Sequence, residues 1–238
     1  MLVTFYGHGC FKVDINGTHL LFDPFITPNE KAKHIDISTI PADYILISHG
    51  HEDHIADVKR IAERTNATLI SNFEIISWFD KNFGVSNGHP MNHGGSWNFP
   101  FGKVKYVNAI HSSTLPDGSP GGNPGGFIVE TVEKSFYYAG DTALHMDMKL
   151  IGEYHRIDFA LLPIGDNFTM GYDDASIAAE MVKTKTVVGL HYDTFGFIEI
   201  DHQKAKETFK KKNINLLLPK IGEELSLIHI SEPTRHTR

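Results

Sequence analysis

The chain has 238 residues, of which 41% are hydrophobic and 21% charged, and a formal net charge of −7. That length supports one sizeable core, and an acidic balance without a long basic block weighs against a general nucleic-acid binder. The lone cysteine, Cys10, excludes an internal disulfide, so nothing asks for an oxidising compartment.

The N-terminus, MLVTFYGHGCFKVDING, reads as strand rather than signal peptide, and no apolar run approaches membrane-spanning length. A cytoplasmic location is therefore expected. LVTFYG, CFKVDI and HLLFD read as short strands, with Asn16-Gly17 as a two-residue hairpin turn. KAKHIDISTIPA reads as loop and YILIS as a buried strand running into HGHEDH. ADVKRIAERTN then has helical spacing, with Val58, Ile61 and Ala62 on one face and Asp57 suited to the helix N-terminus. ATLIS is a strand and FEIISWFDKNF a helix, followed by strands KVKYVNAI, GGFIVET and SFYYAG. Between the first two of these lies HSSTLPDGSPGGNPGG, whose three prolines and five glycines predict a mobile surface loop at a pocket mouth.

The remainder alternates: DFALLPI, DDASIAAEMVKT, TVVGL, DHQKAKETFKKK and INLLL read as strand, helix, strand, helix, strand. A strand-rich stretch followed by helices thus occurs twice. Two face-to-face sheets covered outside by helices satisfy both halves, so the expected fold is α/β, a four-layer αββα sandwich. Leu225 to Arg235, LSLIHISEPTR, resembles the in-frame translation of a sequencing-library adapter. The expected division is a single domain over 1–224 and a non-native tail over 225–238, in which His229 and His236 carry no functional weight.

The 15 histidines need an explanation. In extended chain, residues two apart point the same way, so His49 and His51 can converge on one ion. Asp53 and His54 are adjacent, project differently and can reach a second ion beside the first. Imidazole and carboxylate suit zinc, iron or manganese. One hexapeptide does not close two metal sites, but His111, Asp141 and His191 each follow an apolar strand in the same way.

HxHxDH, a strand-end His, GDT and a late strand-end His together resemble the metallo-β-lactamase-fold hydrolase superfamily, over residues 1 to about 220. GHGCF, LFDPF, HSS, GDT and GDNFTMG further resemble its small bacterial and archaeal metal-dependent hydrolases, a group related to the ascorbate-phosphate lactonases. The resemblance implies a first ion held by His49, His51 and His111, a second held by Asp53, His54 and His191, and Asp141 between them. It also implies a bridging hydroxide as nucleophile, which Asp53 could orient. The two divalent ions would be Zn2+ first, with Mn2+, Fe2+ or Ni2+ as alternatives. Asp23 is expected to accept from a ligand imidazole, and His8 to stand near the metals or the leaving group. Asn167, Thr169, Met170, Tyr192 and Thr194 are candidates for the pocket wall, with Asp173 or Asp174 as a helix cap. His145, His155 and His202 are expected at the surface or at helix ends.

Hydrolysis of a small phosphodiester, lactone or ester is the leading expectation. A β-lactamase role would want export, a ribonuclease Z-like role a basic RNA-gripping surface, and a flavin-coupled di-iron oxygen reductase a different ligand set. A metal-binding scaffold with little turnover is the second reading. The expected partner is a small-molecule substrate, not a membrane and not nucleic acid, and a homo-oligomer stays open.

Overall fold

The computed structural model describes residues 1–227. The rest of the expected tail, with His229 and His236, lies outside the described residues. β1 (Leu2–Gly7), β2 (Cys10–Ile15) and β3 (Thr18–Phe22) form an antiparallel meander. Its second turn is Asn16-Gly17, both at positive φ (52° and 85°), the conformation a two-residue type I′ hairpin requires. β4 (Tyr44–Leu46), β5 (Thr68–Asn72) and β6 (Gly88–Met91) then add in parallel. Helices α1 (Glu52–Ile55), α2 (Val58–Thr65) and α3 (Phe73–Phe83) make the crossovers.

The second half repeats the plan. β7 (Ser96–Phe99), β8 (Gly102–Asn108), β9 (Gly125–Glu130) and β10 (Ser135–Tyr138) are antiparallel. β11 (Phe159–Pro163), β12 (Thr186–Leu190) and β13 (Asn215–Leu217) extend the sheet in parallel, interleaved with α4 (Asp147–Tyr154), α5 (Tyr172–Met181) and α6 (His202–Lys211). β14 (Glu224–Ser226) returns to pair with β1. Two seven-stranded sheets result, in the orders β14-β1-β2-β3-β4-β5-β6 and β13-β12-β11-β10-β9-β8-β7.

Three apolar layers hold this together. The inner faces of the two sheets meet through Phe11, Phe22, Phe127, Phe136, Tyr138 and Leu161, among others. Ile61, Ile75 and Phe79 of α2 and α3 cover the outer face of the first sheet. Met148, Ala178 and Phe209 of α4, α5 and α6 cover that of the second. The architecture is therefore the expected four-layer αββα sandwich. Among the described residues no helix is long and apolar enough to cross a membrane.

Local details depart from the sequence reading. Asp57 occupies the N-cap position of α2 but makes no cap bond. Its Oδ2 instead accepts from Ile26 N (2.7 Å) and Thr27 N (2.8 Å), clamping the loop after β3. α5 begins at Tyr172 with Gly171 as N-cap, and Asp173 and Asp174 fall in its first turn. His145 is buried rather than at the surface, because the chain before α4 is drawn onto the β8 end by Ala143 N→Ile110 O and Asn108 Nδ2→Asp147 Oδ2. His155 and His202 are held by Glu130 and Asp193.

Phe22 packs against Phe11, Phe127, Phe136 and Tyr138, with ring centroids 4.4, 6.2, 5.9 and 5.5 Å away. Phe22→Ala is expected to lower unfolding stability by about 3–5 kcal/mol. Urea denaturation would show this as a lower midpoint with an unchanged slope, whereas Val132→Ala, at a fully exposed position, should leave the midpoint in place.

Candidate metal centre

Strand ends from both sheets meet at one edge of the sandwich. His8 follows β1, Asp23 follows β3, His49 and His51 follow β4, His111 follows β8, Asp141 follows β10 and His191 follows β12. The two halves are stitched there by His191 N→His8 O at 2.9 Å and Gly125 N→Ser48 O at 3.0 Å. Asp53 and His54 do not continue the extended chain. They sit on the single turn α1, which His51 enters in extended conformation, and Glu52 faces out.

Two separate donor sets result, and Asp23 makes a third grouping with His49 and His54 drawn from them. The ligand-capable atoms of His49, His51 and His111 lie within 4.8 Å of one another, as do those of His8, Asp53, His54 and His191. Asp141 stands between the sets. Its Oδ2 is 2.9 Å from His191 Nε2, 3.2 Å from His54 Nε2, 3.7 Å from His111 Nε2 and 4.0 Å from His49 Nε2. Asp53 Oδ2 is 3.9 Å from both His54 Nε2 and His191 Nε2. Two ligands of a tetrahedral zinc ion, each bonded at about 2.0–2.1 Å, stand about 3.4 Å apart. The donor spacings bracket that value, so residue types and geometry fit a metal.

Hydrogen bonds select which ring nitrogen faces inward. An ionised carboxylate only accepts, so His54 donates Nδ1–H to Asp23 Oδ2 (2.8 Å) and turns its Nε2 to Asp141. Ser48 Oγ gives its proton to Asp23 Oδ2 (2.5 Å), so it accepts from His49 Nδ1 (2.9 Å) and leaves His49 Nε2 free. His49 Nε2 and His51 Nδ1 then face each other at 3.0 Å, while His51 Nε2 turns outward to Ser112 Oγ (3.2 Å). Asp23 also accepts from Ser48 N (2.7 Å) at Oδ1 and from Tyr138 OH (2.5 Å) at Oδ2, so three donors converge on Oδ2 and fix the carboxylate against His54. His8 donates Nε2–H to Asp53 Oδ2 and pairs Nδ1 with Thr194 Oγ1, both at 2.9 Å.

The local backbone is shaped for these contacts. His8, Asp23 and His191 all have positive φ (54°, 41° and 54°), a conformation that costs a non-glycine residue on the order of 1–3 kcal/mol. Gly9 has to be glycine, since a Cβ there would lie 2.8 Å from His54 Cε1. The stretch from Ser112 to Gly126 is tied to the HGH segment and to β5 by hydrogen bonds. Ser113 Oγ accepts from Gly50 N (2.9 Å) and donates to Gly121 O (3.1 Å), and Asn72 Nδ2 donates to Gly121 O (2.7 Å). Thr114 bridges Pro120, and Gly118 and Gly122 take the left-handed turn positions (φ 83° and 72°). Its prolines and glycines therefore build a fixed turn that supports the HGH segment.

Of the remaining candidates, Asn167 is exposed at a left-handed position (φ 54°) and Thr169 Oγ1 donates to Met170 O. Met170 is buried. Tyr192 is buried with its ring stacked on Phe5 at 6.3 Å. Neither Asn167 nor Tyr192 approaches the imidazole cluster through a described hydrogen bond. The sequence reading gave no role to Ser48 or Tyr138, and took Ser112 and Ser113 only as part of the HSS motif. For Ser48, only its place between the strand and His49 could have pointed to it.

Burial and the charges of the cluster compete at each group. Burial pushes His49, His51 and His111 below the ordinary imidazole range, despite Asp141 nearby. Burial acts the same way on His54, but Asp141 and Asp53 outweigh it and raise that pKa well above the ordinary value. Burial would raise Asp141, yet His191 and His54 hold it well below the carboxylate range. Asp53 is likewise held down by His54 and His8 against its own burial. His8 falls to about 4, driven by burial and by His191. These directions predict, for the metal-free chain, a charged His54 beside neutral His49, His51 and His111. Nitrogen NMR of that form checks this, and a neutral His54 contradicts it. Metal must displace the His54 proton, so affinity should begin to fall on acidification above the ordinary imidazole range.

Comparison with known proteins gives the family and the fold. The family described as Beta-lactamase superfamily domain matches residues 2–191. A UPF0173 metal-dependent hydrolase of Christiangramia forsetii is 55% identical over 229 residues, covering 95% of this chain and 100% of that protein. Igni18, a metallo hydrolase of the archaeon Ignicoccus hospitalis, superposes with a TM-score of 0.84 at 32% identity, over 94% of this chain and 97% of that one. The metallo-beta-lactamase fold protein YhfI of Bacillus subtilis shares the fold at 14% identity, with a TM-score of 0.74 over 94% of this chain and 98% of its own. The chain belongs to the beta-lactamase superfamily and, within it, to the UPF0173 metal-dependent hydrolases.

Proposed function

We propose that the protein is a dinuclear metal hydrolase that cleaves an ester-like bond of a small molecule, a phosphodiester or a lactone or ester. The observation that carries this is Asp141, whose Oδ2 lies within 4.0 Å of four imidazole nitrogens drawn from two donor sets. His49, His51 and His111 would hold one ion, Asp53, His54 and His191 the other, and Asp141 both. Zn2+ suits this all-nitrogen-and-oxygen set, as do Mn2+, Fe2+ and Ni2+. Bound there, two divalent cations would supply an acidified water as nucleophile and would polarise the oxygen of the scissile bond.

The chain's own groups divide the remaining work. The Asp141 side chain is 4% exposed and the Asp53 side chain 29%. Asp141 is thus enclosed by its imidazoles, while Asp53 meets the open side, where substrate and water arrive. His8 fixes Asp53 Oδ2 through its Nε2–H and, being neutral, adds no charge of its own. In this arrangement Asp53 orients the nucleophile, and His8 serves catalysis by holding Asp53. The net charge of −7 and the lack of a basic block support a small-molecule substrate over nucleic acid. The single buried Cys10 is at ease in a reducing cytoplasm.

Asp141→Asn keeps the shape and removes the charge. It is expected to reduce metal content and to lower kcat/KM by at least about 100-fold, measured on a panel of phosphodiesters, lactones and carboxylic esters with metal analysis of the same samples. Full metal content with full activity would sink the bridging role. Two ions per wild-type chain without turnover of any panel member would leave a metal-binding scaffold.

A further inference from the structure

Three of the described exposed aromatic side chains stand on the loops that follow β11 and β12. Phe168 is 51% exposed, Phe195 40% and Phe197 78%. Topology puts them there. β11 lies between β10 and β12, the strands that deliver Asp141 and His191. The loop that follows β11 therefore emerges between those two residues. Gly165 at its base touches the His191 carbonyl, where a Cβ would lie 2.0 Å from the oxygen. Met170 N at its far side donates to Thr142 O, next to Asp141. Phe168, near the tip, meets Phe197 edge-on at 6.3 Å. Phe195 lies 5.3 Å from the His8 ring, which in turn holds Asp53.

These rings are presented by a braced loop. Asp193, at φ 59°, donates its N–H to Ile198 O (2.8 Å), accepts from Ile200 N (3.1 Å) and pairs with His202 (2.6 Å). Lys31 Nζ donates to the Asp193 carbonyl oxygen, so that cation is already engaged. Single exposed apolar side chains need no explanation, but a group of aromatics anchored to site residues on fixed loops does.

We infer that Phe168, Phe195 and Phe197 form a clamp for a flat apolar group, so that the substrate carries an aromatic ring beside its scissile bond. This rests on the hydrolase reading above and names the substrate class for that site. Burying such a ring removes apolar surface on both partners from water, and rigid loops spare the ordering cost.

The test is calorimetric binding of phenylacetohydroxamate and acetohydroxamate to the metal-loaded full chain. The phenyl compound should bind at least about tenfold more tightly. In Phe168→Ala/Phe197→Ala, whose side chains are largely exposed, that ratio should fall below about threefold. Leu150→Ala, an exposed position on α4, should leave it in place. A ratio near one in the wild type, an unchanged ratio in the double variant, or no binding of either compound overturns the clamp. So does a double variant that alters only the oligomeric state. The hydrolase reading fails separately, if no panel ester, lactone or phosphodiester turns over while the hydroxamate ratio stands.

Discussion

A carboxylate hidden from water has to be met by positive charge or by donors, and Asp141 Oδ2 faces imidazoles from three separate stretches of the chain, His191 Nε2 at 2.9 Å and His54 Nε2 at 3.2 Å, with His111 and His49 further out. No single element can build such a shell. His49 and His54 come from the first sheet, His111 and His191 from the second. The fold is what makes the meeting possible. Each sheet turns from antiparallel to parallel pairing partway across, and the strands that carry donors all end at one edge. His54 and His191 hold Asp141 in its charged form only when that edge is assembled.

Asp23 holds the assembly in register. It accepts from Ser48 and His54 on the first sheet and from Tyr138 on the second. One buried carboxylate thereby sets the tautomer of His54, frees Ser48 to set that of His49, and ties the sheets together. The positive φ angles at His8, Asp23 and His191 sit at the same strand ends. Strain concentrated there is offset by the apolar layer between the sheets, where aromatic rings interlock within a few ångströms.

Much of this was readable from residues alone. The alternation of strand-rich and helix-rich stretches pointed to two packed sheets, because apolar periodicity is local and strong. HGHEDH stood out because four candidate metal ligands at fixed spacing follow a buried strand. His111, Asp141 and His191 followed from the same context, and the structure brings all seven side chains to one place. The supporting groups were not readable. Ser48 and Tyr138 look like ordinary strand residues, and their roles depend on Asp23, far away in the chain. The glycine-rich stretch looked loose because composition does not reveal that Asn72 and Ser113 would bind its carbonyls. Phe168, Phe195 and Phe197 escaped notice because their significance is their exposure, which only the folded chain defines.

The central claim is that two ions sit on either side of Asp141. Anomalous diffraction at the absorption edge of the bound metal tests it most directly. Two peaks per chain are expected, one among His49, His51 and His111 and one among Asp53, His54 and His191, with Asp141 between them. A single peak, or a pair that Asp141 does not separate, would contradict it.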